Sequence, residues 1–229
     1  MTPTGLRVRE ATRADIASLV WCNTEAASPA PGFCYWDPLL AGTGTDTATF
    51  LAAVFTHDAL AFGRCEDFMI VEQHGRPVAA ATGFVMDASD YRPFRLDRFP
   101  AVANALGWDA PTREGVEQRY AAVWSDPRDP ALASAGTWTI ECVAVVPDMR
   151  GRGIARYLLD ALIERGRTRG HATAGIAVTV GNTAAQRAYE AAGFTHYMTY
   201  GPAYSGGAFP GTIVYQMPLG AAPEHGNRG

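Results

Sequence analysis

The segment VAVVPDMRGRGIA, at residues 143–155, is the most informative stretch of this chain for its fold and its binding site. Its first half is an apolar stretch typical of a buried strand, and its second half has Gly151 and Gly153 at the start of a helical pattern. A helix that begins in this way presents unpaired backbone N–H groups and the positive end of its dipole, and both attract phosphate. The side chains of Arg150 and Arg152 add charge-assisted donors. The segment therefore predicts an anion-binding site between a strand and a helix.

The rest of the C-terminal half alternates strands with helices. The predicted strands are residues 138–146, 175–180, 194–200 and 212–219. The helix after the first of them has its apolar stripe at Ile154, Tyr157, Leu158, Ala161 and Leu162. The next helix begins at the capping-box pattern of Thr183 to Gln186 and ends at Gly193, with a buried face of Ala185, Ala188, Tyr189 and Ala192.

The N-terminal half predicts a strand at 6–10, a helix capped by Thr12, a helix at 47–57 and a hairpin of strands 67–73 and 77–86 around His74-Gly75. Residues 87–136 are interrupted by five prolines, but they are rich in aromatic residues, so we expect an ordered insertion. Within it, a helix capped by Thr112 would bury Val116, Tyr120, Val123 and Trp124. Strands and helices in this order imply an α/β or mixed α+β sheet.

Composition excludes several classes of protein. The chain has 229 residues, 48% apolar and 18% charged, which is enough to bury a core. Its net charge of -4 argues against nucleic acid as a partner, and no apolar run approaches the roughly 20 residues that span a membrane. The four cysteines lack C-x-x-C spacing, so we expect free thiols and no metal site. Residues 1–10 lack an apolar signal core, and we expect a cytoplasmic protein.

Three phosphate-binding patterns compete for the glycine-containing segment. A P-loop ends in G-K-[ST], but the sequence contains no lysine. A dinucleotide-binding G-x-G-x-x-G needs glycine where Arg156 stands and follows its strand directly, whereas residues 147–150 intervene here. The third pattern, [QR]-x-x-G-x-[GA], fits at Arg150, Gly153 and Ala155.

With this pattern the chain resembles the GNAT acetyltransferase superfamily, whose members hold the pyrophosphate of acetyl-CoA with that segment. More of the family pattern follows in order: V-x-V-x-P at residues 143–147, Asn182 after the next strand, and Tyr189 seven residues later. The match is close over residues 138–194 and looser over 6–86.

The resemblance implies a mixed, mostly antiparallel central sheet flanked by helices. Residues 87–136 would be a helical insertion between the third and fourth strands, which a minimal domain of the family joins by a short turn. The expected organisation is one domain at residues 1–219, followed by a flexible tail at 220–229.

The resemblance also implies acetyl-CoA as the acyl donor and gives each matching residue a role. Backbone groups of Val143 and Val145 would hold the pantetheine arm and polarise the thioester carbonyl. The diphosphate would lie on the start of the helix, at Arg150, Gly151, Arg152, Gly153, Ile154 and Ala155. Asn182 would contact the pantetheine or the acceptor; alternatively it is a helix cap, although Thr183 is also available for that task.

Tyr189 is a candidate general acid, because the matching tyrosine of the family often protonates the CoA thiolate that leaves. A phenol is protonated at neutral pH, so its chemistry suits that task. The helical spacing of Tyr189 with Ala185 and Ala192 also explains it as a core aromatic residue, and both interpretations stay open.

Glu141 is a candidate general base. Period-two alternation predicts that it shares a face with Val143 and Val145, and an apolar strand would raise its pKa towards neutrality. The alternatives are a water chain or an ion pair of Glu141 with an arginine of the insertion, namely Arg92, Arg95 or Arg98. Cys142 as an acylated nucleophile is disfavoured, because it has no partner histidine nearby in sequence and the same alternation points it to the face opposite Glu141.

The acceptor is expected to be the amine of a small molecule, since a 50-residue insertion favours a closed pocket over an open peptide groove. The expected pocket lies between residues 28–37, the insertion and residues 201–211, with Asp37 or Glu141 facing a cation. Its candidate aromatic walls are Phe33, Tyr35, Trp36, Trp108 and Tyr204, each of which ordinary packing also explains. A non-catalytic acyl-CoA sensor and a peptide acetyltransferase are the alternative functions. The sequence does not decide whether the chain forms a homodimer.

Overall fold

A computed structural model describes residues 5–28, 32, 34–86, 92–125, 134–205 and 210–220 of the chain. The strands are β1 (Leu6–Glu10), β2 (Phe68–Gln73), β3 (Arg76–Phe84), β4 (Trp138–Val145), β5 (Thr173–Thr179), β6 (Thr195–Tyr200) and β7 (Thr212–Pro218). The helices are α1 (Ile16–Ala27), α2 (Asp37–Leu40), α3 (Thr47–Thr56), α4 (Phe99–Ala105), α5 (Ala110–Val123), α6 (Ile154–Thr168) and α7 (Thr183–Ala191). All seven predicted strands are present, and their ends lie within two residues of the predicted ones.

The strands form a seven-stranded sheet in the order β1-β2-β3-β4-β5-β7-β6. Strands β4 and β5 run parallel, and the other described neighbours run antiparallel. The prediction of a mixed, mostly antiparallel sheet is therefore confirmed. The hairpin of β2 and β3 turns at His74 and Gly75, which both have the left-handed φ that a tight two-residue turn requires.

Two apolar layers cover the two faces of the sheet. One layer contains α1, α3, α4 and α5, and its buried residues include Phe50, Phe99 and Tyr120. The other contains α6 and α7, which pack over Trp138 and Ile140 of β4. Because β4 lies in the middle of the sheet, each of its side chains faces one of these layers.

The predicted insertion lies between the third and fourth strands and contributes α4 and α5 to the first layer. The cap of α5 differs from the prediction: Asp109, not Thr112, begins the helix, and its carboxylate accepts the Thr112 N–H at 2.9 Å. Val116 and Tyr120 are buried as predicted, whereas Val123 is 55% exposed. The start of the insertion (residues 87–91), residues 126–133 and the predicted tail from 221 onwards lie outside the described residues.

Within the described ranges, no helix is both long and apolar enough to cross a membrane. All four cysteines are free thiols, as predicted. Three of them, Cys22, Cys34 and Cys65, are buried, and Cys142 is partly buried.

Candidate active site

Strands β4 and β5 pair only where they begin. The pairs join Trp138, Thr139 and Ile140 of β4 to Ala174, Gly175 and Ile176 of β5. Beyond Ile140, β4 keeps its antiparallel partner β3 but has no described pairing with β5. Backbone N–H and C=O groups on that side of residues 141–145 therefore lack a strand partner. The separation leaves an opening in which an extended ligand can bind along β4.

A β-bulge interrupts β4 beside this opening. Cys142 and Val143 together take the place opposite Ala81 of β3, where the register of the two strands shifts. Cys142 has a φ of 53°, which is left-handed backbone and costs a residue with a side chain roughly 1–2 kcal/mol. The bulge is therefore a strained feature that the surrounding protein has to hold.

The bulge reverses the alternation of side chains, so the prediction that Glu141 shares a face with Val143 and Val145 is wrong. Ile140, Val143 and Val145 all pack towards the layer of α6 and α7. Glu141 follows Ile140 in regular strand and therefore points to the opposite face, towards α1 and the insertion. Cys142 packs on that same face, which corrects the expectation that it points away from Glu141.

The side chain of Glu141 is exposed, yet the surrounding protein raises the pKa of its carboxyl to about 7 by desolvation. Among the described residues it has no ion pair, because Arg95 and Arg98 of the insertion pair with Asp97 instead. Its cross-strand neighbour Thr82 is buried, and the Thr82 hydroxyl also has no partner in the described structure. A carboxyl with this pKa is about half ionised at neutral pH, as a proton acceptor in catalysis requires.

Tyr189 lies on α7 and is 6% exposed. Its ring contacts Phe194 and Tyr215, with centroids 6.4 Å and 6.2 Å away, so it is part of the core. Its hydroxyl makes no hydrogen bond within the described structure, but the hydroxyl oxygen is not completely enclosed by protein. Burial and the nearby Cys142 raise the pKa of the phenol, which therefore stays protonated at neutral pH. The two interpretations of Tyr189 are compatible, since the ring packs and the hydroxyl remains available as a donor.

The turn between β4 and α6 leaves open space at the N-terminal end of α6, which we call the mouth of α6. Gly151 and Gly153 have left-handed φ values of 73° and 77°, and a Cβ on either would meet nothing within 4 Å. The first hydrogen bond of α6 runs from the Tyr157 N–H to the Gly153 carbonyl at 3.1 Å. The N–H groups of residues 151–156 find no acceptor in the described parts of the chain. This row of donors at the positive end of a helix is suited to bind a diphosphate.

The two arginines of the turn differ in their contacts. The guanidinium of Arg150 donates to the Val145 carbonyl at 2.9 Å and also pairs with Glu25 at the end of α1. Arg152 is exposed and has no hydrogen bond or ion pair with another described residue. Of the two side chains, that of Arg152 is therefore free to meet an anion, whereas Arg150 fastens the turn to α1.

Asn182 is the cap of α7: its side-chain oxygen accepts the Ala185 N–H at 3.1 Å. The expectation that Thr183 would take this role is wrong, because Thr183 is already the first helical residue. The prediction that Asn182 contacts the ligand remains open. Its amide N–H₂ group has no partner among the described residues, and the side chain is exposed.

The candidate aromatic walls divide into two groups. Trp36 and Trp108 belong to the first apolar layer, where both rings contact Phe50. Tyr35 is 45% exposed and reaches across to hydrogen-bond Thr179 at the end of β5. Phe33 and the side chain of Tyr204 lie outside the described residues. Tyr35 thus lies near the end of β5, and Trp36 lies near the bulge, since its indole N–H donates at 3.2 Å to Asn23, which contacts Cys142.

A cleft of about 540 Å³ lies where the end of α1 meets α2 and the start of α3. It is lined by Thr24, Ser28, Cys34, Asp37, Leu40 and residues 45–48. Its carboxylates have local partners: Asp37 accepts a hydrogen bond from Thr47 at 3.3 Å, and Asp46 caps α3. The cleft carries negative charge, and none of the described residues that line it is cationic.

Helix α1 contacts the bulge and the turn before α6, and no pattern in the sequence predicts these contacts. Cys22 donates to the backbone of the bulge, and the Asn23 amide donates to the Cys142 sulfur at 3.5 Å. Glu25 holds Arg150. These partners are more than a hundred residues apart in sequence, and no spacing rule connects them.

Comparison with known proteins places this site in a family. The model of the acetyltransferase (GNAT) family matches residues 45–194, which include the opening, the bulge, the turn and Tyr189. No curated protein sequence matches the chain significantly.

Solved structures share the fold. One of SsHAT has a TM-score of 0.61 at 19% identity and covers 94% of this chain and 99% of that one. The putative acetyltransferase yncA from Salmonella typhimurium, solved with acetyl-CoA, has a TM-score of 0.54 at 19% identity, with 97% of each chain covered. A polyamine N-acetyltransferase from Drosophila melanogaster has a TM-score of 0.51 at 16% identity and covers 93% of this chain and 99% of that one. Identities this low establish the common fold alone.

Proposed function

This chain belongs to the acetyltransferase (GNAT) family, and we propose that it moves the acetyl group of acetyl-CoA directly to an amine of a small molecule. The observation that carries the proposal is the opening between β4 and β5, with an ionisable carboxyl at its edge and a protonated phenol close to the bulge. A thioester that lay along β4 would have a proton acceptor and a proton donor near it.

The placement of the donor molecule follows from the chain's own donors. The diphosphate would bind the N–H groups of residues 151–155 with help from Arg152, because these donors have no acceptor among the residues that the structure describes. The pantetheine arm would pair with Val143 and Val145 on the open side of β4. The Val145 carbonyl already accepts from Arg150, but a carbonyl oxygen has a second lone pair.

The chemistry then needs a proton acceptor for the amine and a proton donor for the leaving sulfur. Glu141 accepts a proton from the acceptor ammonium, and the neutral nitrogen forms a bond to the thioester carbonyl carbon. Negative charge grows on the carbonyl oxygen, where a backbone N–H of β4 stabilises it. The carbon–sulfur bond then breaks, and the hydroxyl of Tyr189 donates its proton to the leaving sulfur. The nitrogen of the new amide gives its second proton to solvent, and solvent returns the proton held by Glu141 to the tyrosine, so that one proton is released for each acetyl group transferred.

A small cationic amine suits the acceptor side. Glu141 points towards the layer that holds α1, α4 and α5, the last two of which belong to the insertion. The cleft near α1 carries Asp37 and Asp46, and its described lining contains no cation, so it attracts positive charge. The fold is also that of an agmatine N-acetyltransferase and of the polyamine N-acetyltransferase, which gives the class of acceptor to try first.

The test is an acceptor screen that follows release of the CoA thiol. Polyamines, other small amines, and peptides with a free N-terminus or a lysine are each supplied with acetyl-CoA, and a reaction without amine gives the background. We expect turnover with a small amine above the rate with any peptide. Turnover with peptides alone would favour a peptide acetyltransferase.

Binding is measured in parallel, so that a sensor can be recognised. Acetyl-CoA at about 100 times its Kd should stabilise the folded chain by about 2.7 kcal/mol. Binding without thiol release from any amine would favour a sensor, and the absence of any shift would refute the proposal as a whole. We place the enzyme in the cytoplasm, where its four free thiols would stay reduced.

A further inference from the structure

The thiol of Cys22 connects α1 to the bulge of β4. Cys22 is fully buried, at 0% exposure. Its sulfur lies 2.8 Å from the Cys142 carbonyl oxygen and 3.2 Å from the Ala80 carbonyl oxygen, and the thiol donates to both. The backbone N–H of Ala144 meets the same sulfur. One side chain therefore contacts β3 and β4 at the place where their register shifts.

The bulge needs such a contact for two reasons. A bulged residue stands outside the regular hydrogen-bond ladder, and buried backbone carbonyls are rarely left without a donor. Cys142 also has left-handed backbone, which persists only where its surroundings determine it. The Asn23 amide donates to the sulfur of Cys142 at 3.5 Å. Two consecutive residues of α1 therefore contact Cys142, Cys22 at its carbonyl and Asn23 at its sulfur.

We propose that Cys22 is a positioning residue for acyl transfer. By fixing the Cys142 carbonyl, it holds the bulge that turns Val143 and Val145 to the face opposite Glu141. Without the thiol, β4 can return to regular register beyond Glu141, and Val143 then turns away from the layer of α6 and α7, which displaces the backbone that would pair with the pantetheine arm. The kinetic part of this inference rests on the proposed function, whereas the contact itself does not.

Three substitutions separate hydrogen bonding from simple filling of space. Cys22→Ser keeps a donor, and Cys22→Ala removes it. Cys22→Val fills the space without a donor and serves if the alanine variant does not fold. Cys65→Ala is the matched control, since Cys65 is also buried in the same apolar layer but belongs to the turn before β2.

The first measurement is hydrogen–deuterium exchange of residues 139–146, made without substrate. We expect exchange there to be about tenfold faster in Cys22→Ala or Cys22→Val than in the wild type, and unchanged in Cys22→Ser and Cys65→Ala. Equal exchange in the wild type and the donor-free variants would overturn the inference. So would faster exchange that Cys65→Ala shares.

The second measurement is kcat/KM for acetyl transfer. We expect about a tenfold loss in the donor-free variants and a value within about threefold of the wild type in Cys22→Ser. Faster exchange with unchanged kcat/KM would overturn the positioning role, as would equal losses in the serine and alanine variants. If the wild type acetylates no amine, the proposed function fails, and the exchange data still decide whether Cys22 holds the bulge.

Discussion

Replacement of Glu141 by glutamine keeps the size of the side chain and removes its ability to accept a proton. With a pKa of about 7, the carboxyl would go from about 9% ionised at pH 6 to about 91% at pH 8. Wild-type kcat/KM should therefore rise about tenfold over that interval. With the ordinary pKa of 4.5, the ionised fraction would change by only about 3%.

Initial rates of CoA release, measured across this pH range with one amine, provide the assay. Glu141→Gln should lower kcat by about 10²-fold or more. The ratio of the wild-type rate to the variant rate should rise with pH, as the ionised fraction of Glu141 does. Taking the ratio removes the titration of the acceptor itself. Glu164→Gln, on the exposed side of α6, controls for the loss of one negative charge. A ratio that does not change with pH would refute Glu141 as the base and favour a water chain.

The same raised pKa has a consequence for stability. Between about pH 4.5 and pH 7 the native carboxyl binds more protons than the unfolded one, so the free energy of unfolding falls as the pH rises through this window. Glutamine removes that penalty. Glu141→Gln should therefore be more stable than the wild type at pH 8 and lose this advantage near pH 4, as denaturant unfolding at both values will measure.

Three further predictions concern Tyr189 as the general acid, Gly153 at the start of α6, and the contact of Asp15 with Arg9. Tyr189→Phe should lower kcat on the order of 10²-fold with little change in the calorimetric Kd for acetyl-CoA, and an unchanged kcat would remove Tyr189 as the acid. Gly153→Val should weaken CoA binding at least about tenfold, because its side chain occupies the space of the diphosphate; Gly107→Val, at a similar φ of 69° after α4, should bind CoA normally. Asp15 is buried against Arg9, whose hydrogen bonds hold the carboxyl pKa at about 2, below the ordinary 3.8. Asp15→Asn should therefore cost about 2 kcal/mol of unfolding free energy at pH 7, a difference that disappears as the pH falls from about 4 to 2; a loss independent of pH would contradict this origin.

The elements were predictable because their signals are local. Apolar periodicity and turn residues within a few positions define β4, α6 and the hairpin at His74-Gly75, and the structure has them where the sequence predicts. The two glycines before α6 likewise indicate a left-handed backbone, since few other residues adopt it readily.

The arrangement of the site was less predictable, because it depends on contacts between distant segments. Period-two alternation wrongly put Glu141 on the same face as Val143 and Val145, since no local signal marks the extra residue in β4. The contact of Cys22 with Cys142 spans 120 residues, and that of Glu25 with Arg150 spans 125. The cap of α7 was a choice between two adjacent polar residues, and backbone geometry decided for Asn182.

The central claim is that the mouth of α6 receives the diphosphate of acetyl-CoA and so directs the thioester along β4. A crystal structure of the chain with CoA tests it most directly. We predict diphosphate oxygens about 3 Å from the N–H groups of residues 151–155, and the sulfur beside Val143 within reach of the Tyr189 hydroxyl. A diphosphate bound elsewhere on the chain, with the sulfur outside the opening between β4 and β5, would contradict the account.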